Sequence, residues 1–240
     1  MARPRKAQLI EATMLSPSVR SLRFRMADGG PVGHAAGQYL DLVVPTARGL
    51  PFRRSYSIAS APDAGRAEVF EIAVTRVAGG PTSEALHALG VGETVEVEGL
   101  RGTFVRTDAD RGRPSLFVAA GTGLAPIRAM LTPEVLRQDG PPLVLLFGCR
   151  TPADVLWGEE LGRWAGECRR FRLHVTLSRP PPGWDGLTGY VQRHAGTLSR
   201  ALPGACAYVC GLSAMVDDVV ARLERDEGMP RSDLRYETYD

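Results

Sequence analysis

The 240-residue sequence contains no asparagine and a single lysine, Lys6. Its positive charge is carried almost wholly by arginine, so an arginine at any one position says little by itself about a phosphate or carboxylate partner. Neither sign of charge dominates. The 29 basic and 27 acidic residues leave a net +2, too balanced for a nucleic-acid footprint. No apolar run approaches the roughly 20 residues of a membrane span. The opening MARPRKAQLIEAT is basic but lacks the apolar core of a signal peptide. Cysteine occurs four times, at Cys149, Cys168, Cys206 and Cys210, with no Cys-x-x-Cys pair, and histidine is equally scarce. Zinc and iron–sulfur spacings are therefore missing. The expectation is a cytoplasmic protein with reduced thiols, no metal site, and neither a membrane nor a nucleic acid as partner.

What is present is ordinary globular material: 44% hydrophobic and 23% charged residues, enough apolar side chain to offset the entropy of ordering. Glycine (27) and proline (18) are plentiful but not periodic, which points to many turns rather than a collagen. The texture changes near the middle. Up to about residue 106 the pattern has period two: Leu22, Phe24 and Met26 alternate with Ser21, Arg23 and Arg25, and Phe70, Ile72 and Val74 with Glu71, Ala73 and Thr75. Short alternating strands with Gly/Pro/Asp breaks predict an antiparallel barrel or sandwich. One short helix, Ser83 to Leu89, interrupts them. TDADRGRP (107–114) reads as a linker. Beyond it, wholly apolar runs at 115–120, 142–148, 171–177 and 206–210 are separated by amphipathic stretches around 124–137, 152–166, 189–200 and 213–227. That pattern predicts a parallel sheet buried on both faces, with Pro133 kinking or breaking the first helix. The predicted fold is two-domain: residues 1–108 an antiparallel β-barrel, residues 109–240 an α/β domain that binds ligands beyond the C-terminal ends of its strands.

Three segments carry chemistry. AAGTGLAP (119–126) ends a buried strand in the turn Gly121–Thr122–Gly123 and opens a helix with Pro126 in its first turn. A phosphate can approach such a turn, and the helix N-terminus favours it. PFRRSYSIAS (51–60) places Arg54 and Tyr56 on one strand face, a cation for a phosphate and a ring for stacking, with Ser57 on the other. GGPTSEALHALGVGETVEV (79–97) sets a loop before a short helix that Thr82 or Ser83 can cap. On spacing alone each has a plainer reading: a strand–turn–helix, an amphipathic edge strand, and a cap with no ligand.

Taken together and in this order, RRSYS, GGPTS, AAGTGLAP and YVCGLSAMVDDV (208–219) resemble the ferredoxin–NADP reductase superfamily. The bacterial oxygenase-type and cytochrome b5 reductase-like members are the most similar, and the match runs from about Gln8 to the C-terminus. The resemblance implies a barrel that binds FAD non-covalently and a second domain that binds NADPH or NADH as co-substrate. It implies that Arg54 and Ser55, with Gly80, Thr82 and Ser83, hold the flavin phosphates. Tyr56 and Tyr239 then lie beside the flavin ring. Gly121, Thr122, Gly123 and Pro126 take the nicotinamide-nucleotide pyrophosphate, and Cys210 and Gly211 lie near the nicotinamide. Arg150, Ser178 and Arg179, which follow two of the apolar strands, are the candidates for a 2′-phosphate. Ser57, Cys210 and Glu237 are the candidate catalytic residues. Leu212 and Leu100 replace the prolines common at those positions, which removes no chemical group.

The implied reaction is hydride transfer from NAD(P)H to FAD, followed by one-electron transfer to a separate acceptor such as a ferredoxin, a cytochrome or an oxygenase component. The alternatives are direct reduction of a small acceptor, a ferric chelate or a quinone, and a flavin-bearing subunit role in a larger redox complex. The oligomeric state is not legible in the sequence.

Overall fold

The computed structural model describes residues 4–44, 51–63 and 65–239. The first half is a six-stranded antiparallel sheet built from β1 (Arg5–Ser16), β2 (Val19–Met26), β3 (Tyr39–Val44), β4 (Phe52–Ser57), β5 (Val69–Thr75) and β6 (Thr94–Arg101), in the order β4-β3-β6-β1-β2-β5. Its two edges meet just past β4. Ile58 bridges Ile72, and the Ala59 amide donates to the Glu71 carbonyl at 2.7 Å, which closes the barrel. The alternating pattern turns one set of side chains inward. Leu9, Leu22, Phe24, Leu40, Leu42, Ile58, Phe70 and Ile72 are fully buried there, and Phe24 and Phe70 stack at 5.3 Å. Helix α1 (Pro81–Ala88) packs against β4 and β5.

The stretch 107–114 contains the one-turn helix α2 (Asp108–Arg111), held by a capping box between Thr107 and Asp110. The second half is a six-stranded parallel sheet: β7 (Ser115–Ala120), β8 (Leu143–Cys149), β9 (Phe171–Leu177), β10 (Leu187–Thr188), β11 (Cys206–Leu212) and β12 (Leu234–Tyr239), in the order β10-β9-β8-β7-β11-β12. The apolar runs are continuous because both faces are covered. Phe117, Leu145, Phe147 and Tyr208 pack beneath α3 (Leu124–Val135) and α4 (Gly158–Glu167). Leu116, Val118, Leu146 and Val209 pack beneath α5 (Ala195–Arg200) and α6 (Ser213–Arg225). The first of these clusters also takes in Val19, Ala59, Ala73 and Phe104 from the first half. The seam between the halves is thus part of the apolar core.

The structure differs from the sequence reading in three places. Pro133 neither breaks nor visibly ends α3, which continues to Val135. It sits in the last turn, where its missing amide removes a single ladder bond and only two helical residues follow, and the Thr132 hydroxyl donates to the Arg128 carbonyl at 2.8 Å alongside it. The helix predicted from Ser83 begins at Pro81, with Gly80 as N-cap and no side-chain cap. The Ser83 hydroxyl instead donates to the Gly80 and Val77 carbonyls. The last strand, β12, was not expected. Its LRYETY turns Arg235, Glu237 and Tyr239 to the half-buried side and leaves Tyr236 and Thr238 exposed, a weak signal by hydropathy, and it is held by parallel pairing to β11.

Candidate functional site at the seam between the halves

The C-terminal ends of β7 and β11 face the barrel, and here the structure gathers residues from four distant segments. β11 pairs with β12 so that Cys210 lies opposite Glu237 and Leu212 opposite Tyr239. The Ser57 hydroxyl, at the end of β4, donates to Glu237 Oε1 at 2.9 Å across 180 residues of sequence. The Tyr239 hydroxyl is in hydrogen-bond contact with both Ser57 and Cys210. Burial raises the Glu237 carboxyl above its usual range, with the Ser57 bond opposing. Burial also pushes up the Cys210 thiol, which is fully buried, and the Tyr239 phenol. Cys210 and Tyr239 hold their protons at neutral pH, and burial moves the Glu237 carboxyl toward its protonated form.

Against this cluster stands the glycine turn. Gly121–Gly123 forms a single 3₁₀ turn between β7 and α3. Gly121 takes φ +53, the left-handed region, and Gly123 presses onto β11: a Cβ there would lie 2.3 Å from the Cys210 carbonyl oxygen. Pro126 lies in the first turn of α3. At the neighbouring strand ends, the Ser178 amide donates to the Cys149 carbonyl (3.0 Å) and the Arg179 amide to the Arg150 carbonyl (2.8 Å). Arg150 and Arg179 are thereby neighbours along the main chain, both are exposed, and neither forms an ion pair among the described residues.

On the barrel, Arg54 is exposed, and among the described residues its guanidinium bonds the Arg53 carbonyl alone, at 3.1 Å. The exposed Ser55 donates to Asp41 at 2.6 Å. Tyr56 is half-buried, and burial pushes its phenol up to about 12. Ser57 points inward, opposite to Arg54, as strand alternation requires. The N-terminus of α1, with Gly80 as its cap, carries free amides and the buried Thr82 hydroxyl, which has no hydrogen-bond partner. A buried hydroxyl without a partner costs about 1–3 kcal/mol. That orphan, the helix end without a side-chain cap and the exposed Arg54 together fit a bound diphosphate, as a dinucleotide flavin supplies.

Profiles of two domain families match the chain, the oxidoreductase FAD-binding domain over residues 6–105 and the oxidoreductase NAD-binding domain over residues 117–221. The chain is 43% identical over 246 aligned residues to ferredoxin–NADP reductase B of Sorangium cellulosum, covering 100% of this chain and 99% of that protein. It belongs to the ferredoxin–NADP reductase family.

As a member, it is an oxidoreductase that uses FAD and NAD(P)H. The ferredoxin–NAD(+) reductase component of the alkene monooxygenase system of Xanthobacter autotrophicus is 33% identical, with 91% of this chain and 65% of that protein covered. The chain thus spans just under two-thirds of that longer relative. Among solved structures, the Amycolatopsis cytochrome P450 reductase GcoB superposes with a TM-score of 0.84 at 29% identity, covering 98% of this chain and 69% of that one.

The sequence reading missed a second group at the seam. Arg128 on α3 ion-pairs with Glu160 on α4, Nε to Oε2 at 2.5 Å and Nη2 to Oε1 at 3.1 Å. From Nη1 it donates to Glu71 on β5 (3.2 Å) and to the Ala59 carbonyl (2.9 Å). The Trp157 indole N–H also donates to Glu71, at 3.1 Å, and Arg128 lies 4.7 Å from the Trp157 ring centre. Burial works to raise the Glu71 carboxyl, but Arg128, Ser21, Arg23 and Trp157 outweigh it and hold it below its usual value. One signal was available. Arg128 is the lone charge in the helical stretch LAPIRAML, and a charge on a buried helix face needs a partner.

Proposed function

We propose that this reductase takes a hydride from NAD(P)H at the seam between its halves and passes electrons singly to a separate protein acceptor, a ferredoxin, a cytochrome or an oxygenase component. The observation that carries the reading is the contact between Ser57 of the barrel and Glu237 of the α/β half, at 2.9 Å. It sets barrel groups and nucleotide-domain groups around one point, where two cofactor rings would meet. Reductase components of oxygenase systems among the relatives support the class of acceptor.

Bound FAD supplies a hydride acceptor and the capacity to release electrons one at a time. The protein supplies position. Arg54 and Ser55, with Gly80, Thr82 and Ser83, would hold the flavin diphosphate, and Tyr56 and Tyr239 would bind the ring. Gly121, Thr122, Gly123 and Pro126 receive the nucleotide pyrophosphate, and Cys210 and Gly211 line the nicotinamide side. Ser57, bonded to Glu237, would stand at the reacting edge, and the Glu237 carboxyl, which burial moves toward its protonated form, would share a proton with it. Holding the reacting atoms roughly 3–3.5 Å apart can supply several kcal/mol of the barrier. Arg150 and Arg179, with Ser178, fit a 2′-phosphate by paired donors, and we favour NADPH on that ground. We take residue 108 as the end of the flavin-binding half. The four free cysteines suit a reducing compartment, and we place the enzyme in the cytoplasm. No helix among the described residues is long and apolar enough to cross a membrane.

The test is the visible spectrum of the purified protein before and after anaerobic NADPH or NADH. Flavin absorbance that bleaches with nucleotide and returns on adding an iron–sulfur protein or cytochrome supports the reading. A colourless protein that takes up no FAD on reconstitution overturns it. Ser57→Ala should slow bleaching by tenfold or more in stopped flow; an unchanged rate removes Ser57 from the hydride path.

A further inference from the structure

We infer that Arg128 is a positioning residue for hydride transfer: with Glu71 and Trp157 it locks the helix bearing the nucleotide turn to the flavin barrel, and so sets the approach of one ring to the other. The inference deepens the functional reading above and rests on it.

The geometry is a clamp across the seam. Arg128 lies on α3, the helix that begins directly after Gly123. Its guanidinium uses all three nitrogens. Nε and Nη2 grip Glu160 of the same half, while Nη1 reaches Glu71 and the Ala59 carbonyl of the barrel. Glu71 is the barrel's counterpart. Its side chain is only 5% exposed and accepts from Ser21 (2.6 Å), from Arg128 and from the Trp157 indole. Arg23 of the same barrel sheet stands 3.4 Å away. Two of these donors cross the seam, and Glu71 is itself the residue whose carbonyl closes the barrel by accepting from Ala59.

Trp157 adds a second, independent observation. It is the only non-glycine residue with positive φ among the described residues (φ 49), at the N-cap of α4. A bulky residue in that region is strained, and such strain persists only where the surroundings over-determine it. Here they do: the ring packs on Arg128 and the indole N–H is bound to Glu71. α3 and α4 are thus both tied to one barrel carboxylate. Because Gly123 rests on the Cys210 main chain, a slip of α3 is a slip of the nucleotide turn against the cluster at Ser57 and Glu237. A displacement of order 1 Å in a reacting pair can cost about 100-fold in rate. Among the described residues Arg128 forms no hydrogen bond or ion pair with a residue assigned to either cofactor, so its effect would pass through this placement.

The experiment uses the full chain loaded with FAD, carrying Arg128→Met. Circular dichroism and flavin content establish that it is folded and charged. Stopped-flow reduction by NADPH then separates nucleotide affinity from the limiting bleaching rate, and small-angle X-ray scattering of the same sample reads the separation of the halves. The expected result is a limiting rate reduced by tenfold or more, a dissociation constant changed by less than threefold, and a larger radius of gyration. Arg128→Lys should recover part of the rate, since a lysine meets Glu71 but cannot also fork onto Glu160 and reach Ala59. Arg113→Ala, which breaks the ion pair to Asp233 within the α/β half, should lower Tm with the bleaching rate unchanged, separating placement from general destabilisation. A limiting rate within twofold of wild type in folded Arg128→Met overturns the inference, as does a loss expressed only in affinity. Should Arg128→Met fail to fold, Trp157→Phe, which keeps a ring but deletes the bond to Glu71, decides by the same split, with a threefold fall expected and a wild-type rate refuting. If the wild-type protein is not reduced by either nucleotide, the hydride reading fails by itself. Scattering then judges the clamp: opening in Arg128→Met sustains it and an unchanged profile refutes it.

Discussion

Gly123→Ala isolates the contact between the glycine turn and the strand it rests on. Gly123 has φ −58 and ψ −14, a conformation alanine adopts freely, so no backbone strain enters. The cost is entirely steric. The new methyl would lie 2.3 Å from the Cys210 carbonyl oxygen, 2.6 Å from its carbon and 2.8 Å from the Gly211 nitrogen. All three are main-chain atoms of β11, an interior strand paired to β7 and β12, and none can swing aside as a side-chain tip would. The overlap exceeds about 1 Å against an optimal separation near 3.5 Å. Overpacking of this kind typically costs about 1–3 kcal/mol. Relief comes by lifting the turn from β11, so the cost falls on the nucleotide site, and at about 1.4 kcal/mol per decade the dissociation constant for NADP+ should rise about 5- to 150-fold. FAD content should be unchanged, because the nearest contacts of the new methyl are the main chain of Cys210 and Gly211, which are assigned to the nucleotide. Calorimetric titration with NADP+, with thermal melting alongside, reads both effects. Gly121→Ala is the contrast. Its φ is +53 but nothing lies within 4 Å of a Cβ, so it should lose about 1–2 kcal/mol of stability through backbone strain alone. If Gly123→Ala binds NADP+ as wild type does, with an unchanged Tm, the turn is not seated on β11 and the argument from its geometry fails.

Other outcomes follow from the same contacts. Burial raises the Glu237 carboxyl, so between its unfolded and folded pKa values the native state holds a proton that the unfolded chain has released. Stability should then fall as pH rises through that window, and Glu237→Gln should flatten the slope of Tm against pH and of the hydride-transfer rate over the same range. Arg179→Ala, and separately Arg150→Ala, should raise the KM for NADPH about tenfold, the scale of a lost charge-assisted bond, with the KM for NADH little changed; equal effects on both nucleotides would deny them the 2′-phosphate. Cys168, Cys206 and Cys210 are buried, and burial pushes the half-exposed Cys149 thiol up to about 12. Native protein should therefore take up almost no iodoacetamide at pH 8, and four equivalents once denatured, as counted by mass spectrometry.

Much of the fold was legible because local patterns report how many faces of an element are covered. The alternation at 22–26 and 70–74 marks strands with one face in a barrel, and the unbroken runs at 115–120 and 142–148 mark strands covered on both sides. The glycine turn was legible for the same reason: the main-chain requirement at Gly121 is local. Elements with a weak hydropathy signal escaped, β12 above all, since pairing to β11 holds it there. The N-cap of α1 was misplaced because Ser83 found the carbonyls of Gly80 and Val77 instead. What the chain order determined by itself was two textures, their sequence and the turn chemistry between them. Only the tertiary structure decided that Ser57 meets Glu237 across 180 residues and that Arg128 answers Glu71 rather than solvent. Such pairings depend on how a closed barrel seats against a sheet, and that seating is set by packing over the whole seam, which no stretch of local periodicity encodes.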